Sequence, residues 1–209
     1  MRLLFLFFLL LLTGCTHLSW LPSHPLWETH HTHLKAIETW DIQGSIAIAT
    51  EKDTWNARVY WRQEGSTYQL RFNAPLGQGA MVLNGHDQGV TMKTAKNETF
   101  VAKDPDALIR QTLKLEIPVS GLYYWIRGIP TLAAILKYDF TPQGYLHTLQ
   151  QNDWYIEYAE YLKVGEFELP KKIFLSHTPF EVKIVISQWK LGSRREQREV
   201  KTSDSSLLP

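Results

Sequence analysis

Several groups of residues in this chain have types that could do chemistry, and most fail on spacing. His30, His31 and His33 invite a metal ion. On a helix His30 and His33 would share a face, but no cysteine or acidic pair completes a ligand set at workable spacing. They are expected to be solvent-facing histidines on a surface helix, with no metal. Gly77-Gln78-Gly79 lacks the third glycine and the following helix that a dinucleotide-binding turn requires. No nucleophile elbow, P-loop or His-Glu-x-x-His pattern occurs, so no catalytic constellation and no enzyme are expected. What remains is one thiol. Cys15 is the only cysteine of the 209 residues, and it has no internal partner for a disulfide.

The neighbours of Cys15 suggest its use. Arg2 is followed by Leu3 to Leu12, every one Leu or Phe, and then by Thr13 and Gly14. A short basic start, an apolar core and small residues before a cut mark a secretory signal. At about 1.5 Å per residue the run is too short for the ~30 Å hydrocarbon core of a bilayer. Leu12-Thr13-Gly14-Cys15 resembles the bacterial lipobox, in which the cysteine is diacylated, the signal is cut before it, and the new amino terminus is acylated. Residues 1–14 are therefore expected to be a signal peptide. Cys15 is the expected lipidation site, bearing N-acyl and S-diacylglycerol groups and no other cofactor. Each buried methylene contributes ~0.8 kcal/mol, and stable anchoring needs more than one chain. Thr16 is not the aspartate that tends to retain a lipoprotein in the inner membrane, which points to the outer membrane.

Loss of the signal leaves 195 of the 209 residues, and 21 of the 22 basic side chains then face 21 acidic ones. A nucleic-acid binder would carry a basic stripe, so none is expected. Eight Trp, nine Tyr and nine Phe must line a core, a cavity or an interface. One domain is expected over residues 26–191. Residues 15–25 precede it as lipidated terminus and linker, and the polar residues 192–209 follow as a disordered tail.

The elements that would position a site are mostly strands. Ile42, Gly44, Ile46 and Ile48 alternate with polar or small residues, as do Trp55, Ala57, Val59 and Trp61, and then Tyr68, Leu70 and Phe72. Period two with one apolar face means antiparallel strands, half buried and half wet. Glu64-Gly65-Ser66 reads as a turn, and Asn84-Gly85 as a hairpin. Further strands are expected near 89–94, 99–103, 145–150 and 154–161, around Ile173 and Leu175, and over Val182, Ile184 and Ile186. Helical spacing covers Leu26 to Glu38. Asp104-Pro105-Asp106 supplies a cap, a first-turn proline and an acid at the positive dipole end. Leu108, Thr112 and Leu115 form the expected inner stripe of that helix. A short helix over Ser120 to Arg127 should stop at Gly128. About ten strands in one chain imply a strongly curved sheet or barrel.

Four stretches in order resemble the LolB family. They are the lipobox cysteine with a helix and the strand Ile42-Gln43-Gly44-Ser45-Ile46-Ala47; Leu70-Arg71-Phe72-Asn73-Ala74-Pro75-Leu76-Gly77; Ile117-Pro118-Val119 with Leu122, Trp125-Ile126 and Gly128-Ile129-Pro130; and Trp154, Tyr158 and Tyr161 with Leu169-Pro170 and the Ile184/Ile186 strand ending at Trp189. The polar run after Leu191 is a departure from the family pattern. The resemblance implies an incomplete, half-open antiparallel β-barrel of about ten or eleven strands, with helices covering its open side and an apolar cavity inside. It implies a monomeric outer-membrane lipoprotein, lipid-anchored on the periplasmic face, that accepts acylated lipoproteins from the soluble periplasmic carrier LolA and inserts them into the inner leaflet of the outer membrane.

The candidate acyl-chain cavity on this reading is lined by Ile46, Ile48, Val59, Trp61, Leu70, Phe72, Ile184 and Ile186, with Leu122, Trp125 and Ile126 from the lid. Some of these are expected to do no more than pack a core. Pro75, Leu76 and Gly77 form the candidate membrane-insertion loop. Proline fixes the backbone before Leu76 and glycine frees it after, which projects an apolar side chain. Two other readings fit the same residues: a lipoprotein that binds a small hydrophobic ligand, and a structural lipoprotein with a solid core serving envelope assembly.

Overall fold

The computed structural model describes residues 24–75 and 79–192. The signal peptide, Cys15, most of the linker, Leu76, Gly77 and all but the first residue of the expected tail lie outside the described residues. The chain enters through α1 (Trp27–Lys35) and runs through β1 (Thr39–Ala49), β2 (Thr54–Glu64), β3 (Thr67–Asn73), β4 (Met81–His86), β5 (Gly89–Thr94) and β6 (Thr99–Ala102). Two helices follow, α2 (Pro105–Leu113) and α3 (Val119–Trp125). The second run of strands is β7 (Ile135–Phe140), β8 (Leu146–Gln151), β9 (Trp154–Val164), β10 (Phe167–His177) and β11 (Phe180–Leu191).

All eleven strands join one antiparallel sheet in the order β6-β5-β4-β3-β2-β1-β11-β10-β9-β8-β7. The first and last strands are therefore neighbours at the centre, and β6 and β7 form two unjoined edges. The sheet is a half-open barrel. The connection between the edge strands carries α2 and α3, and α2 packs on β5, β6 and α3. Inward residues of alternating strands make the core, with Ile42, Leu70, Leu83, Met92, Ile156, Ile173 and Ile186 almost wholly buried. Trp40 on β1 sits between Trp61 on β2 and Trp189 on β11, with ring centroids 5.1 and 5.5 Å away. The outward positions between them are polar, including the Arg62–Asp41 pair at 2.9 Å.

Three expectations are corrected. Asn84-Gly85 is not a turn: it lies inside β4, where Asn84 faces Thr91 and Gly85 faces Val90 on β5. Its glycine is needed for packing, since a Cβ at Gly85 would lie 2.0 Å from the Tyr68 ring. The strand β7 was not foreseen. Its pairing with β8 is broken by two irregularities, which blur the period-two pattern, and its Leu136 points to solvent. Two of the three histidines of α1, His30 and His31, are not simply surface groups. His30 stacks on Tyr145 at 4.2 Å, so this helix docks through that imidazole as well as through buried Trp27 and Leu34, while His31 stacks on Trp27 of the same helix at 5.0 Å and His33 is exposed as expected. Among the described residues no cluster of three His, Cys, Asp or Glu side chains could hold a metal ion.

Candidate functional site

Between the concave face of the sheet and the two mid-chain helices lies a cavity of about 280 Å³. The sheet contributes Ile46 and Ile48 from β1, Trp55 from β2, Leu70 and Phe72 from β3 and Met81 from β4. The cover contributes Ile109 and Leu113 from α2, Leu115 and Ile117 from the segment after it, and Val119 and Leu122 from α3. Every lining residue is apolar. No charged side chain among the described residues lines the wall, so an occupant would be held by burial of hydrocarbon and by shape.

The cover is built by local rules. Asp104 caps α2, its carboxylate accepting from the backbone N–H groups of Asp106 and Ala107 at 3.1 Å each. Asp106 then accepts from the backbone N–H of Ser120 at 3.0 Å and from the Ser120 hydroxyl. One carboxylate thus ties the start of α2 to the start of α3. Ile109 and Leu113 are four residues apart and fall on the same helical face, turned to the cavity. Lys114 takes a left-handed conformation, φ 58°, and ends the helix.

The far end of α3 is anchored by two buried polar side chains. Trp125 Nε1 donates to Gln151 Oε1 at 3.2 Å. Gln151 also accepts from Thr131 N and donates to the carbonyls of Thr131 and Ala133. Arg127 is buried, and no carboxylate among the described residues pairs with it. It donates to the carbonyls of Tyr123 at 3.0 Å and Ile37 at 2.8 Å, and its guanidinium lies 4.1 Å from the Tyr123 ring centroid. Burial lowers its pKa from the ordinary value, with the neighbouring tyrosines acting against that shift.

Five expected cavity residues meet at this wall: Ile46, Ile48, Leu70, Phe72 and Leu122. Trp61 faces a separate, more polar space at the other end of the sheet. Val59, Ile184 and Ile186 are core residues of β2 and β11, and Trp125 and Ile126 are buried where α3 docks; none of these five lines the cavity described above. The physical reason is the lie of the cover. It leaves space over β1, β3, β4 and the start of β2. Trp55, Met81, Ile109, Leu113, Leu115, Ile117 and Val119 were missed. The i, i+4 pair Ile109/Leu113 was a readable signal, as was the alternation of Leu115, Ile117 and Val119.

The candidate loop begins beside this cavity. Pro75 is exposed at the end of β3, and Gly79, past the undescribed residues 76–78, lies beside the Trp55 indole. Pro75 and Gly79 thus bracket a segment that starts and ends near the Trp55–Phe72 end of the wall, where the two rings meet edge to face at 5.8 Å.

Known proteins share this arrangement. The family model described as outer membrane lipoprotein LolB matches residues 38–189. The chain is 35% identical over 190 residues to the outer-membrane lipoprotein LolB of Nitrosococcus oceani, covering 88% of this chain and 94% of that protein. It is 34% identical over 187 residues to the outer-membrane lipoprotein LolB of Coxiella burnetii, covering 86% and 88%. Among solved structures, a LolA superfamily protein of Nitrosomonas europaea aligns with a TM-score of 0.53 at 8% identity, over 80% of this chain and 94% of that one, a likeness of fold alone. With a half-open barrel, a covered apolar cavity and a family match that spans nearly all the strands, this chain belongs to the family of the outer-membrane lipoprotein LolB.

Proposed function

We propose that this protein, anchored in the outer membrane by acyl groups on Cys15, takes acylated lipoproteins from the periplasmic carrier LolA and passes them into the inner leaflet. The observation that carries the reading is the cavity wall, apolar at every described lining residue and roofed by α2 and α3. Acyl chains in water aggregate, so a carrier system must move them from one dry pocket to the next. The sequence carries no P-loop, and on this reading the step runs on differences in affinity, about 1.4 kcal/mol for each factor of ten.

At about 280 Å³ the cavity is too small for three long acyl chains together. Loading therefore requires α2 and α3 to lift from the strands. The Asp106–Ser120 tie would keep the two helices together, and the Trp125–Gln151 bond would hold the far end of α3 to β8 as they lift. The segment between Pro75 and Gly79 carries Leu76, whose burial in hydrocarbon contributes ~1.5–3 kcal/mol. That is too little to anchor the protein and enough to orient the cavity mouth toward the bilayer.

The test is a two-step transfer. Carrier loaded with an acylated lipoprotein is mixed with the mature chain lacking its own lipid, and liposomes are then added. Cargo is expected to move from the carrier to this protein and then to the liposomes. Leu76→Glu is expected to leave the first step intact and block the second. Cargo that stays on the carrier while the protein is folded would refute the receptor reading, and a Leu76→Glu protein that delivers normally would refute the loop's role.

A further inference from the structure

The end of the sheet that carries Pro75 carries a second exposed apolar feature. From Gly128 to Leu136 the chain runs Gly-Ile-Pro-Thr-Leu-Ala-Ala-Ile-Leu, nine residues without a charge. Leu132 is 86% exposed and Leu136 61%, and Ala133 and Ala134 between them are exposed as well. Strand register places this run. Ile135 faces Gln151, Gln151 faces Trp154, Tyr155 faces Ser176, and His177 faces Phe180. Ala49 faces both Glu181 and Thr54, and Asn73, which ends β3 just before Pro75, faces Arg58 on β2. The segment that enters β7 and the loop that leaves β3 therefore stand at one end of the half-barrel, on either side of the central β1–β11 pair.

Buried contacts hold this segment in place. Gln151, wholly buried, accepts from the Thr131 backbone N–H at 2.8 Å and donates to the carbonyls of Thr131 and Ala133. Ala133 N donates to Thr131 Oγ1 at 3.2 Å. Leu132 lies between the two held carbonyls, so its exposure belongs to a fixed bend. Single apolar side chains in water are ordinary, whereas a run of them at the rim of a site marks an interaction surface. Tyr155, 44% exposed on β9 at the same end, adds a ring of the kind enriched where one end is apolar and the other wet.

We propose that Leu132 and Leu136 form a second point of contact with the bilayer, an apolar rim that seats on the lipid surface together with the Pro75–Gly79 loop. The inference rests on the membrane reading of that loop and on the acyl anchor at Cys15. One apolar tip lets the molecule pivot; two set apart fix the tilt of the cavity mouth. Two observations favour a lipid surface. The nine-residue run offers hydrocarbon and no charge with which to specify a protein partner. The tether also reaches. The His24 ring lies 5.9 Å from that of Phe140, at the far end of β7 from the rim. The six residues of β7 span about 20 Å, and the nine residues from Cys15 to His24 reach about 30 Å at full extension. The rim can therefore touch the surface in which the acyl groups are buried.

The mature chain with Cys15→Ser has no other cysteine, so single cysteines can carry an environment-sensitive fluorophore. Labels are placed at Leu132→Cys, at Leu76→Cys and, as control, at Gln143→Cys, an exposed position in the β7–β8 turn at the opposite end. Liposomes of phosphatidylethanolamine and phosphatidylglycerol carry a doxyl-lipid quencher. Quenching is expected at 132 and 76 and not at 143. Leu132→Glu is expected to weaken binding of the chain to these liposomes about tenfold, the effect of one leucine withheld from hydrocarbon, with loading from the carrier unchanged. Quenching at 76 without quenching at 132 would overturn the rim and leave the loop reading standing. No quenching at either position would refute both. Unchanged liposome binding with impaired loading would assign the rim to a protein contact and overturn the proposal.

Discussion

Gly44 occupies the point where β1 and β11, the two ends of the chain, pair at the centre of the sheet. The register shifts between Gln43 and Gly44, and a Cβ at Gly44 would lie 2.3 Å from the Val185 carbonyl oxygen. The obstacle is backbone, which cannot swing aside as a side chain would. Gly44→Ala is expected to destabilise the protein by about 1–3 kcal/mol, the usual cost of overpacking, measured by denaturant unfolding. An unchanged midpoint would mean that the strand relaxes at no cost. At this scale the sequence was legible where one residue type has one use, as with the inward alternation of Ile46, Ile48, Leu70 and Phe72. It misled where a residue has two. Asn84-Gly85 has the composition of a hairpin turn, yet its glycine is a seat for the Tyr68 ring, a contact between strands that no local pattern encodes.

The elements of the cover depend on a few polar contacts. Asp106→Ala removes the acceptor for Ser120 and is expected to cost about 1 kcal/mol, the net value of a typical intramolecular hydrogen bond. Amide exchange in α2 and α3 should quicken while β1 and β11 stay protected; uniform exchange throughout would show that the cover does not open on its own. The docking of α1 should depend on pH. Burial lowers the His31 pKa, Lys35 adds to this, and Glu28 opposes it. The unfolded chain then binds a proton that the folded one resists. Stability from this source is full above about pH 6.5 and falls as pH drops toward the folded value. His31→Phe keeps a ring against Trp27 without the proton, so the variant should lose less Tm than the parent between pH 7 and pH 5. Parallel curves would remove His31 from the account. The helix α2 was readable from its cap, proline and first-turn acid. β7 was not, because its two irregularities break the alternation that identifies a strand.

On the scale of the whole molecule, curvature and an approximate strand count could be inferred from the alternating segments, but the order of strands could not. That β1 and β11 meet at the centre while α2 and α3 run between the two edges is a fact of long-range pairing. It decides which apolar residues line the cavity and which pack elsewhere in the core. For this reason Ile184 and Ile186, with the same alternation as Ile46 and Ile48, do not line the cavity, while Ile109 and Leu113 do. The same geometry places the loop ends Pro75 and Gly79 at the Trp55 end of the wall. It also leaves a separate, more polar space at the other end of the sheet.

The central claim is that acyl chains of the cargo occupy the apolar cavity, and site-specific photocrosslinking tests it most directly. A photoreactive phenylalanine analogue at Phe72 or Leu113 faces the cavity; the same analogue at Val185, outside the wall, serves as control. With an acylated lipoprotein delivered by the carrier, crosslinks through the lipid are expected at Phe72 and Leu113 and not at Val185, and none with the same cargo lacking its acyl groups. Crosslinks concentrated at Val185, or equal with and without acylation, would contradict the account.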